Sequence, residues 1–138
     1  MSSKTKIALF AGLALAACNN NASQQAQTNG PHIKVRSTEQ DQLHKLDAYN
    51  LAIGLKRAIY DAGYTCLRVS DAGFVGEWKN LDMWVAHCEY ANGSTRDWAV
   101  FAGPDGSAQV RDCKAVESSG LPACAIKQRP EGSFNPVK

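Results

Sequence analysis

The sequence lacks an uncharged apolar run long enough to cross a bilayer, which takes about 20 residues. The longest one, Ile7 to Ala17, falls well short. It lacks any short Cys-x-x-Cys pair among its five cysteines, so a thioredoxin-like redox centre is without its motif. No glycine-rich phosphate loop or dinucleotide fingerprint is present, and no segment repeats another. Net charge is small, +2 from 15 basic and 13 acidic residues. Histidine is scarce, with three in 138 residues. These absences leave a small domain with few groups to spend on chemistry.

What is present begins with an ordered N-terminus. Lys4 and Lys6 form a short positive segment, Ile7 to Ala17 is apolar, and small Ala16 and Ala17 lead into Cys18. That order is the layout of a secretory signal peptide. Leu15-Ala16-Ala17-Cys18 resembles the lipobox of bacterial lipoproteins. The resemblance implies diacylglycerol on Cys18 and cleavage just before it, with residues 1–17 removed. Two or three acyl chains hold a small domain durably, at about 0.8 kcal/mol per buried methylene. Asn19, rather than Asp, implies by the sorting rule of enteric bacteria an outer-membrane protein facing the periplasm. The lipid bilayer is thus the first expected partner, and an envelope protein the second.

Loss of Lys4 and Lys6 leaves 13 basic against 13 acidic residues. A formally neutral chain has no overall attraction to nucleic acid, so no nucleic-acid partner is expected. Beyond Cys18, the cysteines Cys66, Cys88, Cys113 and Cys124 are even in number in an exported chain, which makes two disulfides the default and zinc the runner-up.

Residues 18–36 are rich in Asn, Gln, Ser, Thr and Ala and read as a lipidated cysteine followed by a flexible tether. Residues 37–134 form the domain, about 100 residues and enough for one modest core. Residues 135–138 read as a frayed tail. Ser37 or Thr38 caps a helix expected to run unbroken to Ala62, with Glu39 and Asp41 near its positive end. Ala48, Leu51, Leu55, Ala58, Ile59 and Ala62 recur at helical spacing, and Gly63 stands where a helix ends in a left-handed residue.

Strands follow. Asn92-Gly93 signals a two-residue hairpin loop, which sets Glu89 opposite Arg96, Val85 opposite Val100 and Trp84 opposite Phe101. Gly103-Pro104-Asp105-Gly106 signals a second turn, which sets Val110 opposite Val100 and Ala108 opposite Ala102. A first strand, Tyr64 to Ser70, sets Cys66 opposite Cys88 and Val69 opposite Val85. One valine row then crosses the sheet, and the helix is expected on that face with Leu67, Met83 and Trp98. Cys88 and Cys113 share the other face but lie two strands apart, beyond a disulfide's reach. Cys66–Cys88 is therefore favoured, leaving Cys113–Cys124 to clip a C-terminal loop. The segment between Val69 and Leu81 reads either as a hairpin extension or as a loop over an edge.

The fold expected is α+β, one N-terminal helix on a four-stranded antiparallel meander with two disulfides. That order is similar to small periplasmic modules of the PepSY-like kind. Tyr64-Thr65-Cys66, Met83-Trp84-Val85, Asp97-Trp98-Ala99-Val100 and Asp105-Gly106-Ser107 resemble segments of small uncharacterised exported proteins of alphaproteobacteria. Neither likeness carries an activity onto particular residues.

For chemistry, His87 is the only histidine inside the expected sheet; His44 lies near the helix start and His32 in the tether. Asp97 and Asp112 alternate to opposite faces and make a poor acid/base pair. Ser70-Asp71 and Ser118-Ser119-Gly120 lack the strand–turn–helix setting of a nucleophile elbow. No catalytic residue, metal or cofactor is expected. Tyr64, Trp84 and Phe101, rimmed by Arg68, Asp97 and Arg111, form the candidate binding face. If Cys113 to Phe134 folds across that face instead, Leu121 and Phe134 are buried there. The function expected is a non-catalytic binding, inhibitor or assembly module of the envelope. The alternative is a ligand-handling protein or small hydrolase using His87.

Overall fold

The computed structural model describes residues 36–135. The expected signal peptide, Cys18, the tail beyond Asn135 and all of the expected tether except Arg36 lie outside the described residues. The described chain is α+β, with helices and a four-stranded antiparallel sheet in meander order. Among the described residues no helix is long and apolar enough to cross a membrane.

The N-terminal helix is two helices rather than one. α1 spans Thr38–Leu43, with Ser37 and Gln40 forming a reciprocal capping box. α2 spans Ala48–Asp61 and starts anew because Asp47 turns extended (φ −68°, ψ 169°) and its carboxylate accepts from the Asn50 N–H. α2 keeps its apolar stripe, with Ala48, Leu51, Ala52, Leu55 and Ile59 all buried. α2 ends as its sequence implies. Gly63 takes φ +85°, the Tyr64 N–H donates to the Ile59 carbonyl, and the Gly63 N–H donates to the Tyr60 carbonyl.

β1 is Arg68–Trp78, β2 Leu81–Glu89, β3 Thr95–Ala102 and β4 Ala108–Asp112, followed by a short helix, α3, at Cys113–Glu117. The β3–β4 register is the expected one, Val100 against Val110 and Ala102 against Ala108. The β2–β3 register is not. The Tyr90 N–H donates to the Ser94 carbonyl, so the loop holds three residues, Ala91-Asn92-Gly93, with Gly93 at φ +77°. Glu89 therefore faces Thr95, Val85 faces Ala99 and Trp84 faces Val100. A one-residue slip moves every side chain of β2 to the other face relative to β3.

β1 departs further from expectation. It starts after Cys66 and runs to a two-residue turn at Lys79-Asn80, so the uncertain segment is a hairpin extension. Val69 faces Cys88 rather than Val85, and two register shifts interrupt the strand, so the valine row does not form. Both disulfides join the expected cysteines, with Cα–Cα distances of 5.4 Å for Cys66–Cys88 and 5.8 Å for Cys113–Cys124.

The core has two layers. α2 packs on Val69, Trp84, Ala86, Cys88, Trp98, Val100 and Ala102. The opposite face, Val75, Met83, Val85, Ala99 and Phe101, is covered by Val116 and the Cys113–Cys124 loop, with Leu121 and Ile126 against it. The chain then crosses the outer edge of β1. The Phe74 N–H donates to the Gln128 carbonyl at 2.8 Å, and the Lys127 and Gln128 N–H groups donate back to the Phe74 carbonyl. Gly73 permits this crossing, since a Cβ there would lie 2.4 Å from Ile126 Cγ2 and 2.5 Å from the Gln128 oxygen. The crossing covers a strand edge that would otherwise offer itself for pairing. Phe134 ends on the helix side, not under the second face.

Candidate ligand groove

The expected binding face is not one surface. Trp84 lies beneath α2, Phe101 lies under the C-terminal segment on the opposite face, and each is only 3 % exposed. Arg111 is an exposed position of β4. Arg68 is exposed and engages Glu89 and Asn135. The slip in the β2–β3 register is the cause, because it carries Trp84 away from Phe101.

Tyr64 of that set lines an open concavity. A groove of about 620 Å³ lies where the end of α2 meets the β2–β3 hairpin. Its aromatic part is Tyr64, Tyr90 and Trp98, and its polar wall comes from Thr65, Asn92, Ser94, Thr95 and Arg96. Each part is held from behind. The Trp98 Nε1–H donates to the Tyr90 hydroxyl at 3.2 Å, which fixes the buried indole. The Tyr64 ring rests on Trp98, with centroids 4.4 Å apart and planes inclined by 31°. The Arg96 guanidinium lies over the Trp98 ring, 5.5 Å from its centroid, and pairs with Asp112 at 3.2 Å. Cys66–Cys88 ties Tyr64-Thr65 to the strand that leads into Tyr90. At the tip, Asn92 Oδ1 accepts from both the Ser94 N–H and the Ser94 hydroxyl. The result is an open, shallow groove whose walls are held in place by contacts within the protein.

One further polar site was not visible in the sequence as a site. At the other end of the sheet, Asp82 is 1 % exposed and accepts from Arg36 Nη1 and Nη2 at 3.2 and 3.0 Å. His44 Nε2 lies 2.9 Å from the same carboxylate, and its ring packs against Phe74 and Trp84. Gln40, also buried, donates to the Asn80 and Ala102 carbonyls. This network seals the bottom of the core. The sequence signal for it was slight, an aspartate inside an apolar strand.

His87 is half-buried, and its Nδ1 meets Asp97 Oδ1 at 2.5 Å. Asp71 faces His87 across the β1–β2 pair, but its carboxylate is held by Arg129 at 2.8 and 3.1 Å. That contact keeps Asp71 below the usual carboxylate range. Among the described residues no group of three or more His, Cys, Asp or Glu side chains is arranged to hold a metal. A narrower apolar groove of about 310 Å³ runs between α2 and the β3–β4 hairpin, with Gly54, Leu55, Ala58, Val100 and Ala108 among its walls.

Comparison of the chain with protein families, with curated proteins and with solved structures finds no match to any of them.

Proposed function

We propose that this chain is a lipid-anchored, non-catalytic binding module of the cell envelope, and that the groove of Tyr64, Tyr90 and Arg96 is its ligand surface. The observation that carries the reading is the preorganised groove itself. Both broad faces of the sheet are taken up by the core, and of the exposed tyrosines Tyr49, Tyr60 and Tyr64, it is Tyr64 that lines the groove and rests on a buried tryptophan. The anchoring half rests on Leu15-Ala16-Ala17-Cys18 after an apolar run. On this reading residues 18–36 give the domain reach from the bilayer. Two cross-links across a domain of this size suit an oxidising compartment, where small cores are stapled covalently.

The test is photo-crosslinking in the native envelope, with a photoreactive side chain at Ser94 on the groove rim and, for comparison, at Glu117 on α3. A discrete adduct from Ser94 and none from Glu117 is expected. An adduct from Glu117 alone, or none from Ser94, overturns the assignment of the groove. A second reading, a small hydrolase using His87, is favoured by the His87–Asp97 contact. It requires that His87→Ala abolish whatever phenotype the wild-type chain restores to a deletion strain, while Tyr64→Ala leaves it intact.

A further inference from the structure

We infer that the occupant of this groove is a saccharide chain, bound by stacking of a pyranose ring on Tyr64; the inference rests on the reading of the groove as the ligand surface. Three features of the groove select that chemistry over the other classes an aromatic cleft accommodates.

The first is the platform. Tyr64 presents one face to Trp98, so the ring is fixed and its remaining surface stays accessible. A sugar ring has a face of C–H bonds that suits the electron-rich face of an aromatic ring. The second is the rim. Thr65 and Thr95 supply hydroxyls that can donate and accept, while Asn92 keeps its amide N–H donors and Ser94, whose hydroxyl hydrogen goes to Asn92, keeps its acceptor lone pairs; together they match the mixed donor and acceptor character of sugar hydroxyls. The one cation on the wall, Arg96, already has Asp112 as counter-ion at 3.2 Å, so the groove offers no uncompensated charge for a phosphate. A nucleotide therefore lacks its anchor here, although its base would stack.

The third feature speaks against an extended peptide. Peptide capture at a sheet edge needs a row of free backbone groups. Here the hairpin closes on itself, with the Tyr90 N–H on the Ser94 carbonyl and the Gly93 N–H on the Tyr90 carbonyl. Glu89 and Thr95 are paired across the ladder, and the Leu67 N–H donates to the Glu89 carbonyl. The backbone groups at these positions are engaged within the protein, and side chains supply much of the polar surface of the groove. A β-linked chain, whose ring substituents are equatorial, lies flat on a single aromatic platform better than a curved α-linked one.

The experiment is calorimetric titration of the full-length, detergent-solubilised protein with cellotetraose, chitotetraose and maltotetraose, each to millimolar concentration. Saturable binding of one or both β-linked tetrasaccharides is expected, with maltotetraose weaker. Tyr64→Ala should weaken binding at least tenfold, and Tyr64→Phe should retain it within about threefold, since stacking needs the ring and not the hydroxyl. Circular dichroism confirms the fold of each variant. No saturable binding of any of the three, or binding that Tyr64→Ala leaves unchanged, overturns the saccharide assignment. If these titrations fail while the Ser94 probe captures a protein, the groove is a ligand surface of another class. If both fail, the reading of the groove falls with it.

Discussion

Replacing Arg36 by Met should destabilise this domain more than replacing the aspartate it serves. Asp82 is 1 % exposed, whereas the Arg36 side chain is 30 % exposed and also touches Asp41 and Glu77. Removing Arg36 leaves a buried carboxylate with His44 as its remaining side-chain partner. Breaking a buried pair in this way costs about 3–5 kcal/mol, and the lower end applies because His44 stays. Replacing Asp82 by Asn keeps the shape and part of the hydrogen bonding, and leaves a guanidinium that is partly solvated and paired elsewhere. That change should cost about 1.5–2 kcal/mol, the lower end of the scale for one hydrogen bond to a charged group. The double variant should fall well short of the sum, because once the carboxylate is gone Arg36 has lost its buried role. For a domain of about 100 residues, 3 kcal/mol corresponds to a fall in Tm of at least roughly 12 °C. Urea unfolding followed by circular dichroism, with both disulfides oxidised, gives the three free energies. An Asp82→Asn protein as unstable as Arg36→Met, or strictly additive effects, would refute the claim that the cost lies in stranding a buried anion.

The glycines give a matched pair of outcomes. Gly73→Ala should loosen the C-terminal crossing and expose residues 126–135 to protease, since its Cβ meets the Gln128 carbonyl at 2.5 Å. Gly54→Ala should stabilise α2 by about 0.5–1 kcal/mol, because a Cβ there meets nothing within 4 Å; equal protease sensitivity of the two variants would contradict the geometry. Acid should loosen the β1 edge. Arg129 holds Asp71, and Arg68 holds Glu89, below their ordinary values near 3.8 and 4.5. A depressed folded-state value contributes stability that is present above the unfolded value and lost as pH falls through the folded one. Stability should therefore be flat from neutrality to about pH 5 and decline below it, with Arg129→Gln flattening the decline; a proton-independent curve down to pH 3 would rule this out. Replacing the 66–88 pair of cysteines should cost about 3.4 kcal/mol and the 113–124 pair about 2.8, from the entropy of loops whose ends lie 22 and 11 residues apart. Loss of the second pair should uncover Met83 and Phe101 to apolar dyes.

Much of the fold was legible because local chemistry dictated it. The α2 stripe and its glycine stop follow from helical spacing, and Pro104-Asp105-Gly106 forces a loop of one length, so the β3–β4 register came out right. Asn92-Gly93 does not force a length. The pair suits a two-residue loop or, as here, a three-residue loop with Gly93 left-handed, and the two differ by one residue of register. Packing decides between them: the observed slip puts Trp84 and Trp98 together under α2 and Phe101 with Val116 on the far side. The valine row was a coincidence of composition that this choice dissolved. The helix was expected to run unbroken from Ser37 or Thr38 to Ala62, and the cap at Asp47, which starts α2, was missed. β1 was unreadable beyond Ser70 because two register shifts, near Ser70 and near Val75, break the alternation that marks a strand.

The same logic explains why, of the expected binding face, only Tyr64 belongs to the candidate site. A sequence reading looks for apolar residues on one sheet face, and in a domain this small both faces are needed for the core. What remains for recognition is the sheet's ends, where loops meet. There the chain places residues that read as turn formers, Asn92 and Ser94, beside an aromatic, Tyr64, that reads as the start of a strand. They become neighbours because Cys66–Cys88 and the pairing of Leu67 and Arg68 with Glu89 bring the end of α2 to the hairpin. The disulfide thus serves two ends at once, lowering the entropy of the unfolded chain and fixing the groove's two walls in register. A reduced protein should then lose the groove before it loses the sheet, since β2, β3 and β4 remain paired without it. Reduction that melts the whole domain in one cooperative step would show instead that the groove and the core are a single unit.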